Sequence, residues 1–222
     1  MEEISMSAVE SSIVKVDSEN WTRLPDDKSI VRTVNALQSR GITAESVSTR
    51  EDALKLLAKR IPPGAEVMTG ASATLDEIGF LQLLKLGTHQ WKNLKSEITG
   101  EKDPVRQREL RVRAAAAQYF VGSAHAVAET GEIVVASASG SQIPAYAYSS
   151  NNVFWVVGAQ KIVASLDEGL KRVREYCLPM ESAKMRSLGY PGSAIGKLLI
   201  FERERASQRS LTLILVNEKL GV

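Results

Sequence analysis

The stretch Tyr119–Ser141, YFVGSAHAVAETGEIVVASASGS, places two apolar runs on either side of a turn and ends in small residues. The first run leads into Glu129-Thr130-Gly131, where glycine permits a tight turn. The second run, Ile133–Val135, has the length of a strand, and the loop Ser137–Ser141 follows. We predict that Glu129 stands at a strand end and faces this loop, as residues lining the crevice of open α/β sheets do. A plain β-turn is the alternative for Glu129.

Other apolar runs also have the length of buried strands. They are Val153–Val157, Leu198–Phe201 and Leu213–Val216. Because the runs do not alternate with polar residues, they predict strands covered on both faces, as in a largely parallel sheet between helix layers. Strands that alternate with helices indicate one α/β domain. We assign it to residues 26–222, after a loosely attached arm at 1–25.

Helices are predicted where a capping residue precedes apolar residues at helical spacing. The capping residues are Asp26, Thr49 and Ser165. On the helix that follows Ser165, two i,i+4 pairs are predicted on a solvated face. They are Glu168 with Arg172 and Lys171 with Glu175.

The segment Glu66–Gly79, EVMTGASATLDEIG, predicts a strand, a small-residue turn and a helix start. Such a turn can bind an anion, but Asp76 and Glu77 already complement the helix dipole. Thr74 and Glu77 have capping-box spacing, and the helix that follows is apolar on nearly all sides, which predicts burial. Glu77 therefore either caps the turn or, among apolar neighbours, has a raised pKa and a chemical role.

A further helix, predicted after Pro104, carries several arginines. They are Arg106, Arg108, Arg111 and Arg113. Glu109 is spaced to pair with Arg113. A solvated helix or an oligomer contact is one interpretation, and a flap that delivers an arginine to an anionic ligand is the other.

Composition excludes several classes of protein. The 222 residues are 44% hydrophobic and 24% charged, an ordinary globular composition, and a net charge of +2 gives no basic surplus for coating nucleic acid. The single cysteine, Cys177, excludes a disulfide framework, a cysteine-rich zinc site and an iron–sulfur cluster, and we expect it to be a buried small hydrophobe. Neither a signal peptide nor a membrane span is recognisable. We expect a cytoplasmic protein without metal or cofactor that binds neither nucleic acid nor membrane.

Five motifs occur along the chain, namely GASATLDEIG, GSAHAVAETGEIVV, SGSQIPAYAY, VFWVVGAQKIV and LVNEKLG. In order and spacing they resemble the LUD (lactate-utilization) domain family, from roughly residue 26 to the end. The resemblance implies a three-layer α/β/α fold related to ribose-5-phosphate isomerase, glucosamine-6-phosphate deaminase, 5-formyltetrahydrofolate cyclo-ligase and CoA transferases. Because class I CoA transferases commonly carry a catalytic glutamate before a glycine-containing turn, it also implies a catalytic Glu129 by analogy of fold.

The sequence departs from the family pattern in three places. Many relatives have Asn where His125 stands, and an acidic residue or Asn at Thr130. Many also have cysteines in the region that corresponds to residues 179–192, which contains none here. The iron–sulfur motifs of lactate-utilization protein B are absent too. We therefore do not expect this chain to carry electrons itself.

The candidate site combines these segments. Lys161 follows a buried strand, where a lysine can bind a carboxylate or phosphate, and a solvated or capping lysine is the alternative. His125 is a candidate general base, and a hydrogen-bonded core histidine is the alternative. The predicted catalytic residues are Glu129, Glu77 and His125. The predicted ligand-binding residues are Gly70, Ser72, Thr74, Thr130, Gly131, Gly140, Ser141 and Lys161.

Two functions are compatible with these residues. In the first, a pocket at the strand ends takes a small anionic metabolite such as a sugar phosphate, an acyl-CoA or a hydroxy acid. In the second, the chain is a non-catalytic subunit that docks on an iron–sulfur partner of lactate oxidation. A regulatory protein that binds a metabolite without chemistry is a third interpretation, and any of them allows a homo-oligomer.

Overall fold

The main sheet has six strands, all parallel, in a computed structural model that describes residues 18–205 and 208–222. In spatial order the strands are β1 (Thr43–Val47), β10 (Ser210–Val216), β7 (Asn152–Gly158), β4 (Tyr119–Gly122), β2 (Glu66–Thr69) and β3 (Lys92–Asn93). The predicted strands at 153–157 and 213–216 are confirmed as the neighbouring central strands β7 and β10. Their side chains are buried on both faces of the sheet, which explains their continuous apolar sequence.

A second sheet contains four strands within the described residues. In order they are β8 (Ile162–Val163), β5 (Ala126–Ala128), β6 (Ile133–Ser137) and β9 (Lys197–Phe201). The runs 133–135 and 198–201 are strands as predicted, but they pair antiparallel with each other in this second sheet. An apolar run indicates burial of a strand and does not determine the direction of its partner.

Nine α-helices surround the sheets in the described part of the chain. They are α1 (Ser18–Trp21), α2 (Asp27–Ser39), α3 (Arg50–Arg60), α4 (Ala73–Glu77), α5 (Phe80–Leu86), α6 (Leu94–Gly100), α7 (Pro104–Ala114), α8 (Leu166–Arg172) and α9 (Leu178–Ser187). The three predicted capping residues are confirmed. Asp26, Thr49 and Ser165 accept backbone N–H bonds from Ser29, Asp52 and Glu168 respectively.

Alternate residues of β7 enter different parts of the core. Trp155 packs on one face with α2 and the second sheet. Phe154 and Val156 pack on the other face with α3, α4 and α5. A third apolar cluster joins the outer face of the second sheet to α8 and the π-helical turn Val173–Cys177. A mostly parallel sheet flanked by helices is consistent with the predicted three-layer α/β/α class.

The predicted continuous helix after the Gly70–Ser72 turn is interrupted. Gly79 has φ +81, which ends α4 and starts α5, and such a conformation is favourable for glycine alone. The N-cap of α4 is Ser72, which accepts from the Leu75 amide, so the predicted Thr74–Glu77 capping box is wrong. Burial on all sides is also wrong, because Leu86 is 64% exposed.

Two acidic residues that were predicted to form ion pairs have other partners in the structure. Glu109 lies 3.2 Å from Arg106 rather than beside Arg113. Glu168 pairs with Lys171 at 2.9 Å, because Arg172 turns inward and is fully buried. The helical period alone cannot indicate that a long cationic side chain is buried.

Part of the predicted N-terminal arm lies within the described residues. Ser18–Trp21 forms α1, and Trp21 is 9% exposed because it packs in the cluster beneath the second sheet. Its carbonyl oxygen accepts from Arg172 at 3.4 Å. Residues 1–17 of the arm lie outside the described residues. None of the helices within 18–205 and 208–222 is long and apolar enough to cross a membrane.

Gly158, the last residue of β7, is closely approached by the backbone near residue 220. A methyl group at this position would lie 2.7 Å from the Leu220 amide nitrogen and 2.9 Å from the Glu218 carbonyl oxygen. Both contacts are with backbone, which cannot move away as a side-chain end could. We expect Gly158→Ala to lower the free energy of unfolding by about 1–3 kcal/mol through overpacking, measured by urea denaturation.

The matched control is Gly100→Ala at the end of α6. No atom would lie within 4 Å of the added methyl group, so this change should be neutral or slightly stabilising, by up to about 1 kcal/mol. Equal effects of the two substitutions would contradict the packing described at Gly158.

Candidate ligand-binding site

A cavity of about 380 Å³ lies at the carboxyl ends of three neighbouring strands of the main sheet. Its wall is formed by Gly70–Thr74 after β2, Gly122–His125 after β4, and Lys161 after β7. The loop after β6 and the start of α9 complete it. Because parallel strands end at the same edge, residues remote in sequence meet there, and this is where ligands bind in open α/β sheets.

Lys161 is 2% exposed and lies at the end of a 3₁₀ turn directly after β7. Its ammonium nitrogen Nζ donates to Thr74 Oγ1 at 2.9 Å, to the Ala124 carbonyl at 3.3 Å and to Ser123 Oγ at 3.4 Å. All three acceptors are neutral. Within the described ranges Lys161 forms no salt bridge. A buried charge without a countercharge is costly for the folded state.

The electrostatic environment changes the protonation of Lys161. Burial and, to a lesser extent, the nearby Arg172 guanidinium lower its pKa to about 7, although Cys177 and Glu77 act in the opposite direction. Ammonium and neutral amine are therefore both populated near neutral pH. A lysine that can supply either form is suited to bind an anion or to act as a nucleophile or base.

His125 also lines the cavity, as part of its wall. Its Nδ1 accepts a hydrogen bond from the Ala136 amide at 3.1 Å. Burial, with Lys161 and Arg172 nearby, lowers its pKa to about 3. The imidazole therefore stays neutral at physiological pH and is a weak base. Its hydrogen bond to the Ala136 amide is what the alternative interpretation, a hydrogen-bonded core histidine, predicts.

Arg172 lies behind this wall and was not among the predicted site residues. It is fully buried, donates to the His125 carbonyl and lies over the Tyr176 ring, with its guanidinium carbon 5.0 Å from the ring centroid. Its Nη1 also contacts Cys177 Sγ at 3.0 Å. Cys177 is buried as predicted, and burial raises the pKa of its thiol. The amphipathic pattern of α8 had assigned Arg172 to solvent, so no sequence pattern identified this charge.

Glu77 and the turn at Glu129 lie outside the cavity wall. Glu77 is exposed, and its Oε2 accepts from the Gly221 amide at 2.9 Å. Glu129 lies at the β5–β6 turn, where Arg32 Nε donates to it at 2.7 Å and holds the pKa of its carboxyl below the usual value. Arg40 donates to the Thr130 carbonyl at 2.8 Å, and Gly131 has φ +98 as a tight turn requires.

The structure thus divides the predicted site residues into two groups. Those that line the cavity are Gly70, Ser72, Thr74, His125, Ser141 and Lys161. Gly140 lies between two lining residues, with φ +84. Those at other places are Glu77, Glu129, Thr130 and Gly131. Ser123 and Ser137 line the cavity and were missed, although both belong to the small-residue segments that predicted the site.

Metal ligation has little support in the described part of the chain. No group of three or more His, Cys, Asp or Glu side chains there is arranged to hold a metal ion.

Comparison with known proteins places the chain in a family. The sequence pattern described as LUD domain matches residues 30–190. The chain belongs to the LUD domain family. Among solved structures, this LUD-domain protein is similar to a DUF162 family protein from Deinococcus radiodurans, with a TM-score of 0.55 and 14% sequence identity. The match covers 88% of this chain and 100% of that one. At this identity the likeness shows the fold alone. No curated protein matches the sequence.

The pKa of Lys161 gives the LUD-domain protein a specific pH dependence. Below pH 7 both folded and unfolded states hold the proton. Between a folded pKa of about 7 and the ordinary value of 10.5, the unfolded chain holds it and the folded protein does not. Stability should therefore rise with pH across this window. At about 1.4 kcal/mol per pH unit, the gain between about pH 7 and about pH 9.5 is roughly 3 kcal/mol.

Urea unfolding of wild type and Lys161→Met measures this gain. We expect the difference in free energy of unfolding, wild type minus variant, to grow by that amount between the two pH values. Other lysines and tyrosines titrate equally in both proteins and cancel in the difference. A difference that does not change with pH would mean that Lys161 is solvated.

Proposed function

We propose that the strand-end cavity binds a small anionic metabolite, with a short 2-hydroxy or 2-oxo carboxylic acid as the favoured class, and that Lys161 makes the central contact. The observation that carries the proposal is the buried Nζ of the cavity-lining Lys161, which has only neutral hydrogen-bond acceptors, all of them on residues that also line the cavity. A bound carboxylate would supply the countercharge that the protein does not. Such charge-assisted hydrogen bonds are stronger than bonds between neutral groups.

The distribution of charge favours an anion over a cation. Lys161 and Lys184 line the cavity, and Arg172 lies directly behind it. Among the described side chains that line it, that of Glu181 is the one carboxylate, and it is exposed at the edge beside Lys184. The Glu181–Lys184 pair lies at the edge of the cavity. An anion bound further in would lie in the positive potential of Lys161 and Arg172.

Size and surface chemistry favour a small polar ligand. About 380 Å³ is near the lower end of the volumes of small-molecule sites. Hydroxyl groups that line the cavity can donate to a carboxylate or to a neighbouring oxygen. They belong to Ser72, Thr74, Ser123, Ser137, Ser139, Ser141, Tyr146 and Ser193. Membership of the LUD (lactate-utilization) family suggests a role in lactate utilization, which supports a hydroxy or oxo acid within this class.

A thermal-shift series tests the proposal with lactate, pyruvate, sugar phosphates and CoA esters. A ligand at about 100 times its Kd adds about 2.7 kcal/mol, and each kcal/mol raises Tm by roughly 2–4 °C at this size. We expect the short carboxylates to raise the Tm of wild type, more at about pH 6 than at about pH 8.5, because the ammonium form of Lys161 is depleted above pH 7.

Three variants give the series its controls. Lys161→Met should lose the shift, whereas Lys171→Met removes a charge from the exposed face of α8 and should keep it. Loss of the shift in Glu129→Gln instead would place the ligand at the β5–β6 turn and contradict the proposal. No shift with any compound would also contradict it, and would favour the subunit that docks on an iron–sulfur partner.

A further inference from the structure

The amine of Lys161 has the surroundings of a nucleophile as well as those of an anion contact. Its Nζ is buried among Thr74, Ser123 and Ala124, which line the cavity, and no carboxylate of the described residues forms a salt bridge with it. Burial favours the neutral amine, as does the Arg172 guanidinium. In most proteins a lysine is solvated or paired with an acidic group, and the unpaired, desolvated amine is the form that attacks carbonyl carbon.

We infer that Lys161 forms an imine with the 2-oxo carbon, ketone or aldehyde, of a short 2-oxo acid bound in the cavity. This inference rests on the proposed function, and it names a covalent step at the same site. A 2-hydroxy acid of the same size has no carbonyl group, so it would bind without reacting. The cavity would thereby distinguish the oxidised from the reduced member of such a pair.

The step needs no oxidant or reductant. The Nζ lone pair forms a bond to the 2-oxo carbon, the carbonyl π electrons move to oxygen, and that oxygen takes up a proton while nitrogen loses one. The nitrogen lone pair then expels the hydroxyl group, which takes up a second proton and leaves as water, giving an iminium ion. Loss of the remaining N–H proton returns that proton to the site and leaves the neutral C=N double bond. Hydrolysis reverses the sequence and returns the 2-oxo acid and the free amine.

Hydroxyl groups near Lys161 Nζ can carry the protons that this reaction transfers. Thr74 Oγ1 accepts from Lys161 Nζ at 2.9 Å, and Ser123 Oγ lies 3.3 Å from Thr74 Oγ1. Tyr146 lines the same cavity, and burial raises the pKa of its phenol. Tyr146 therefore remains a proton donor at all physiological pH values. Thr74 and Ser123 can transfer a proton to or from nitrogen, and a hydroxyl of the wall can donate to the developing alkoxide.

Lys95 supplies a matched control for the reactivity. Lys95 is half-buried, its Nζ donates to the Gly70 carbonyl at 3.2 Å, and burial also lowers its pKa. Lys95 is not part of the cavity wall. If low pKa alone produced reactivity, Lys95 would react as well; if the cavity is required, it would not.

Borohydride trapping of the full chain tests the inference. Wild type is incubated with pyruvate, glyoxylate or 2-oxobutyrate and then reduced, so that hydride adds to the imine carbon and fixes the adduct as a secondary amine. Lactate serves as the non-carbonyl probe. Intact-mass and peptide mass spectrometry locate the adduct. We expect one adduct per chain at Lys161 with at least one of the oxo acids, at least ten times more than at any other lysine, and none with lactate.

Variants separate this inference from the proposed function. Lys95→Met should be trapped like wild type. Lys161→Arg keeps the charge without a comparable nucleophile, so it should lose trapping, and Lys161→Met should lose both trapping and the ligand-dependent Tm shift. A melting transition in each variant shows that it is folded, and peptide mapping of wild type does not depend on any variant.

The outcomes that overturn the inference are distinct. Oxo acids that raise the Tm of wild type but leave no adduct would refute the imine and leave the proposed function standing. An adduct spread over Lys95 and surface lysines, unchanged in Lys161→Arg, would also refute it. Neither an adduct nor a Tm shift with any of the three oxo acids and lactate would refute both.

Discussion

Burial of the Lys161 ammonium group among neutral oxygens is the constraint on which the rest of the site depends. The end of β2 leads to Thr74, the end of β4 to Ser123, and the end of β7 to Lys161 itself. The three residues meet because their strands are hydrogen-bonded neighbours in one parallel sheet. The apolar cores on both faces of that sheet hold the strand ends in place. Packing in these cores therefore offsets the unfavourable free energy of the unpaired lysine.

That cost connects structure to function. A desolvated lysine without a carboxylate destabilises the folded protein until a ligand supplies negative charge or the proton leaves. Both responses are available at a cavity wall with a lysine pKa of about 7. The same environment keeps His125 neutral, because burial and the two nearby cations lower its pKa, and neither cation is paired with an acid in the described structure. We therefore propose Lys161, rather than His125 or the ion-paired Glu129, as the reactive group of the site.

Local patterns in the sequence were sufficient to predict the helices, strands and turns, but they were insufficient to predict how these elements pack together. Caps such as Asp26 and Ser165 and the turn at Gly131 depend on neighbouring residues, so the sequence predicts them directly. The small-residue segments also predicted much of the cavity wall, since each follows a strand. Arg172 could not be placed, because its inward direction is determined by the Trp21 and His125 carbonyls, which are far away in sequence. The ion pair of Glu129 with Arg32 of α2 likewise joins residues far apart in sequence.

The most direct test is an NMR titration of Lys161 with ¹³C-labelled lysine, in which Lys161→Met identifies the Cε resonance. A midpoint near pH 7 that moves upward when lactate is added would establish an unpaired buried amine whose charged form the ligand stabilises. A midpoint near the ordinary lysine value of 10.5, unchanged by lactate or pyruvate, would contradict the account, since Lys161 would then be neither desolvated nor in contact with a ligand.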